Sequence, residues 1–105
     1  MNHFNEEAMN DGLVLTDIHQ TVIFVNPGFV ALLGYAPEEI IGWQWLDIIP
    51  SEHYDMVQEA ENRRARGLSD RYEMVLQHKN GEKREVLIDA SPRFDKKTGD
   101  FSGTI

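Results

Sequence analysis

The sequence predicts an α+β fold: two β runs, a set of short helices with one longer helix, then three further β runs. Three observations carry that prediction. The apolar period switches along the 105 residues from near two, to near four, and back to two. Gly, Pro and Asn fall at the junctions between those stretches, where chain direction must change. A content of 41% hydrophobic and 27% charged residues is that of a folded chain, and the length suits one domain.

Phe4 and Ala8, four apart, make a weak helical stripe, so residues 1–11 read as an N-terminal helix or cap and 12–105 as the domain proper. Asn10-Asp11-Gly12 breaks the chain. Leu13 to Ile18 is β by composition, His19-Gln20 interrupts, and Thr21 to Val25 is β again, which reads as an antiparallel hairpin. Asn26 then offers an N-cap oxygen and Pro27 a pre-set first helical residue, with Phe29, Leu32 and Leu33 on one face and Gly34 as the stop. Pro37-Glu38-Glu39 opens a second helix with acids where the helix dipole favours them. Its cap position is Ala36, which has no side-chain oxygen. That omission forgoes about 1 kcal/mol.

Trp43 to Pro50 is apolar, too short for a long helix, and closed by proline. Ser51 is placed to cap a longer helix over about 52–66, with Met56, Val57 and Ala60 as its apolar stripe, Glu59 and Arg63 as an i,i+4 pair, and Gly67 as its end. The last third is β. Tyr72 to Gln77 and Glu85 to Ala90 flank Asn80-Gly81, a strong hairpin signal. Pro92 belongs near a strand end or a bulge. Lys96 to Gly99 is a turn, and Phe101 to Ile105 begins a final strand that stops short.

Composition excludes several functions. Without cysteine there are no disulfides, thiolate metal sites or cysteine nucleophiles. A formal charge of −8 opposes binding to nucleic acid phosphates. No apolar run approaches the roughly 18 residues of a membrane span, and the N-terminus lacks a signal-peptide pattern, so a cytoplasmic domain with no membrane contact is expected. No nucleophile elbow or triad spacing is present, so no catalytic residue is assigned and the domain is not expected to be an enzyme. His3, His19, His53 and His78 fall in different elements and none has ligand spacing, so no metal site is assigned.

Two blocks carry a family resemblance: GLVLTDIHQTVIFVNPGFVALLGYAPEEIIG over 12–42 and YEMVLQHKNGEKREVLIDASPRFDKKTGDFSGTI over 72–105. Taken in order, they resemble a PAS domain across about residues 5–105. The resemblance implies a five-stranded antiparallel sheet in spatial order 2-1-5-4-3, with short helices on one face enclosing a small cavity. It also implies a sensory input module of a prokaryotic signalling protein, with an attached effector such as a histidine kinase or a diguanylate cyclase. A purely structural dimerisation domain is the alternative, and a flavin- or haem-bearing sensor a third. Gln20 stands where the family often has Gly, so that turn is expected to be distorted.

Neither flavin nor haem is expected. The light-sensing relatives use a reactive Cys in the stretch that here reads Trp43-Gln44-Trp45-Leu46-Asp47, and His53 lies one turn ahead of where a haem ligand would stand. Trp45, Met56, Met74 and Phe24 are the candidate cavity-lining residues for an unknown small molecule. Asn26 is expected to lock the second strand to the first helix, and the resemblance implies an ion pair between Glu39 and Lys79. Val22-Ile23-Phe24-Val25 is apolar on both alternating faces, whereas a sheet covered on one side should alternate. Ile23, with Phe4 and Ala8, is therefore expected to form a homodimer interface.

Overall fold

The computed structural model describes residues 11–105. Six strands appear among them: β1 (Val14–Thr16), β2 (Val22–Val25), β3 (Asp70–Gln77), β4 (Lys83–Ala90), β5 (Pro92–Phe94) and β6 (Phe101–Thr104). Three helices lie between β2 and β3: α1 (Pro27–Leu33), α2 (Pro37–Ile40) and α3 (Tyr54–Ala65). Short 3-10 turns occupy Trp45–Asp47 and Ser51–His53. The N-terminal helix, with Phe4 and Ala8, falls outside the described residues.

The strands form a four-stranded antiparallel sheet, β2-β1-β6-β5, and a two-stranded one, β3-β4. The ladder is recorded as two sheets. Ser91 separates β4 from β5, and Pro92, which has no N–H to give a ladder, opens β5 and pairs with Thr104. Counted as one interrupted strand, β4 and β5 restore the order 2-1-5-4-3. Ser91 is still held to Ile105 by two backbone hydrogen bonds of 2.9 Å. Beyond that point β6 meets β1 at one register pair, Thr16 with Thr104. Val14 and Leu15 pair with Val25 and Phe24 of β2, and β4 pairs along its length with β3.

The turn before β2 is distorted at Gln20, which adopts a φ of 62°. That left-handed conformation costs a non-glycine residue about 1 kcal/mol. The Asp17 side chain offsets it, accepting from the N–H groups of His19 and Thr21 at 2.9 Å each. The bond from Thr21 is the main cause that holds the Asp17 carboxyl below its ordinary value.

α1 begins as its sequence predicts. Asn26 Oδ1 accepts from the Phe29 N–H at 2.9 Å, and Gly34 ends the helix at a φ of 80°. The His78 ring fills the space where a Cβ on Gly34 would lie. At α2 Ala36 supplies no cap oxygen, as expected, while its own N–H donates to Glu39 Oε1 at 3.0 Å.

α3 corrects an expectation. Ser51 does not cap it; the chain enters α3 through the 3-10 turn after Pro50, with no side-chain cap. Val57 and Ala60 are buried under α3 as the stripe predicts, and Met56 packs at the core's margin. The core joins these residues to Val22, Val25, Phe29, Leu33, Ile40, Trp45, Met74 and Leu76, between the inner sheet face and the helices.

Candidate functional site

A cleft of about 710 Å3 is lined from α1, the first 3-10 turn, α3, β3 and β4, with Leu13, Val14 and Thr16 at one end. Its floor is aromatic. Phe29, from α1, and Trp45, from the first 3-10 turn, lie 6.3 Å apart between ring centres with their planes tilted by 36°. Tyr72 and Leu76, on the inward face of β3, extend that wall.

The cleft's polar residues come from three elements. Glu61 and Arg64 project from α3. They sit at i+4 and i+7 from Val57, so the apolar stripe runs directly into them. Arg64 is only 1% exposed. Its guanidinium donates to the Leu68 carbonyl at 2.7 Å and to Asp70 Oδ1 at 2.8 Å. Asp70 also pairs with the Arg63 guanidinium, so its carboxylate spans two cations at the C-terminal end of α3. Glu61 has no hydrogen-bond donor among the described residues. Burial pushes its carboxyl above the ordinary value, with the Arg64 charge opposing. Burial likewise raises the Tyr72 phenol. From β1, Thr16 borders the cleft at 5% exposure; its hydroxyl oxygen is fully enclosed and has no partner among the described residues.

The structure treats the sequence-predicted residues unequally. Trp45 lies on the cleft wall. Met74 is buried in the core, Met56 flanks it, and neither borders the cleft. Phe24 is 44% exposed and also stands off the cleft, because a register shift between Leu15 and Thr16 leaves Ile23 and Phe24 both outward. Ile23 is equally exposed, at 44%.

Asn26 ties three segments together. Besides capping α1, its Oδ1 accepts from Leu13 N–H at 2.8 Å and its Nδ2 donates to the Asp11 carbonyl at 2.9 Å. Lys79 Nζ reaches both oxygens of Glu39, at 2.7 and 2.9 Å, and lies 6.0 Å from the Tyr35 ring centre. That lysine is the main cause holding the Glu39 carboxyl below its ordinary value. Tyr35 in turn meets Trp43 edge-on at 5.2 Å, which places the second tryptophan away from the cleft.

Sequence reasoning missed Thr16, Glu61, Arg64 and Tyr72. The spacing of 57, 60, 61 and 64 was a usable signal for two of them, because charged residues on the buried face of a helix need a partner or a ligand. No comparable signal marked Thr16. Among the described residues no group of His, Asp and Glu could hold a metal ion, and no helix is long and apolar enough to cross a membrane.

Comparison with known proteins agrees with this architecture. The family model for the PAS domain matches residues 10–105. No curated protein matches by sequence. Among solved structures, the PAS domain of a protein from Colwellia psychrerythraea superimposes with a TM-score of 0.78 at 19% identity, covering 96% of this chain and 89% of that one. The PAS domain of an HTR-like protein from Haloarcula marismortui gives 0.75 at 19% identity, over 96% and 85%. A fungal LOV domain photoreceptor gives 0.77 at 24% identity, over 91% and 70%.

Proposed function

Because the chain belongs to the PAS domain family, a family of sensory modules, we propose that it is a ligand-sensing input module acting through the cleft. The observation that carries this reading is the interior between α3 and β3, where Tyr72 and Leu76 face Glu61 and Arg64 over the Phe29–Trp45 pair. Pockets for small molecules pair mostly apolar walls with a few convergent polar groups. The mechanism is a population shift. A ligand held between α3 and β3 favours one packing of the helices on the sheet. That bias passes to an attached effector, such as a histidine kinase or diguanylate cyclase domain. Its size is limited by the ligand's differential affinity for the two arrangements.

A flavin of the LOV type fits these residues poorly. No cysteine exists to form an adduct. A flavin phosphate would also meet a lining with three acids, Asp11, Glu61 and Asp89, and one base, Arg64, which already serves Asp70 and Leu68. The protein is therefore proposed to be colourless.

A second reading, a dimerisation module, has its own support. Ile23, Phe24, Leu13 and Leu87 all stand exposed, and such apolar positions favour cover by another surface. Native mass spectrometry of freshly purified protein, with an absorption spectrum, separates the readings. Non-covalent added mass without visible absorbance supports the sensing module. A bare dimer mass supports the structural reading, and a flavin or haem spectrum overturns both.

A further inference from the structure

β3 is an end strand. Among the described residues it pairs only with β4, in eight consecutive register pairs without a bulge. The turn that follows shows which of its backbone groups are free. The His78 N–H donates to the Glu82 carbonyl at 2.7 Å, so the even-numbered residues of β3 turn their N–H and C=O toward β4. Those of Arg71, Glu73, Val75 and Gln77 point the other way, to an open edge. Such edges are ordinarily blunted by lysine, proline or a bulge, and Asp70–Gln77 carries none of the three. Its outward face holds charge instead. Arg71 donates from Nε and Nη2 to Asp89, at 2.7 and 3.3 Å. Glu73 has no cation within ion-pair reach among the described residues.

These charges select one register for a second β3. A two-fold axis normal to the sheet keeps each face on its own side, so side-chain alternation requires the axis to pass at a residue and not between two. Centred at Glu73 or Arg71, the pairing sets like charges directly opposite each other, which is destabilising. Centred at Met74 or Val75, it brings neither charge opposite its complement. Centred at Tyr72, it sets Arg71 opposite the partner's Glu73 and Glu73 opposite the partner's Arg71. The same two residues present their N–H and C=O to the edge, so about four backbone hydrogen bonds close where the charges meet. We infer that the β3 edge joins the β3 edge of a second copy of this chain, antiparallel about Tyr72, in a continuous β4-β3-β3-β4 sheet. This contact is separate from the outer sheet face and independent of what the cleft holds. It is narrower than a standard interface, so it forms near about 1 mM protein and stands open at micromolar concentration. Two copies tethered elsewhere meet at about millimolar effective concentration, which closes the edge.

Dilution from about 1 mM to about 20 μM tests it, at about 0.15 M salt so that the negative charge of the chain is screened. The sedimentation coefficient should fall on dilution, the amide signals of Arg71, Glu73 and Val75 should move most, and Ile23→Glu should keep this dependence. Glu73→Arg places arginine opposite arginine and should weaken the association at least about tenfold. Exchanging the charges, Arg71→Glu with Glu73→Arg, should restore it to within about threefold. Val75→Pro removes an N–H that serves no bond to β4, so it should abolish the association while the melting transition shows the fold intact. Edge amides that ignore concentration, association in Glu73→Arg or Val75→Pro as strong as in the wild type, or no recovery in the exchanged pair would overturn the inference.

Discussion

Asn26 shows how much one side chain can fix. It caps α1, bonds the start of β1 through Leu13, and reaches back to Asp11. The capping role was legible, because Asn before Pro at the start of an apolar 3-4 spacing has few other uses. The two bonds to the strand were not, since they depend on a hairpin that brings residue 13 beside residue 26. Asn26→Ala is expected to cost about 2 kcal/mol, at the upper end for a cap. Asn26→Asp keeps the acceptor and loses only the donor to Asp11, so it should cost about half as much. Urea unfolding midpoints compare the two. Equal losses would mean that the Asp11 bond, not the cap, dominates.

Glu61 and Arg64 teach the complementary lesson. Their positions follow from helical spacing, but their burial depends on β3 packing against α3, which no local pattern shows. Glu61 titrates above its ordinary value of 4.5 because burial disfavours the carboxylate. A group raised in the folded state withholds stability as pH climbs through its folded value. Glu61→Gln should therefore stabilise the protein at neutral pH, and that gain should vanish below 4.5, where the native carboxyl is protonated in both folded and unfolded chains. A melting-temperature difference that is flat from pH 7 to pH 4 would contradict this.

At the scale of elements, α3 is anchored by charge as much as by packing. Its buried residues are Val57, Ala60 and Arg64, a narrow stripe for a helix of 12 residues. The Asp70 carboxylate, at the start of β3, holds Arg63 and Arg64 together. Removing one partner of a buried pair leaves the other charge stranded, which costs about 3–5 kcal/mol. Asp70→Asn is expected to approach the lower end, because Leu68 still accepts from Arg64. Thermal unfolding measures it, and a loss below about 1 kcal/mol would show that water reaches Arg64. The sequence marked α3 correctly in its interior and wrongly at its start. Ser51 has the right chemistry for a cap, yet Pro50 leads the chain into a 3-10 turn first. The split between β4 and β5 was legible, because Pro92 announced a strand boundary; that Pro92 would still pair with Thr104 was not.

At the scale of the whole molecule, the outer sheet face and the cleft share β1. Leu13, exposed, lies on the outside and at the cleft mouth, while Thr16 faces inward. Ligand binding and any pairing of subunits on the outer face would therefore act on the same hairpin. The expected dimer uses Ile23, whose outward position makes the test clean. Ile23→Glu should convert dimer to monomer in analytical ultracentrifugation at micromolar concentration without lowering the unfolding free energy by more than about 0.5 kcal/mol. A monomeric wild type, or loss of folding in the variant, would remove the outer face from the account.

The most direct measurement of the central claim, that a ligand is held between α3 and β3, is residue-resolved hydrogen exchange on the protein as purified and again after its ligand has been stripped by unfolding, gel filtration and refolding. Amides around Glu61, Arg64, Tyr72 and Leu76, which line that interior, should exchange faster in the stripped protein. Identical exchange in the two preparations would contradict the account.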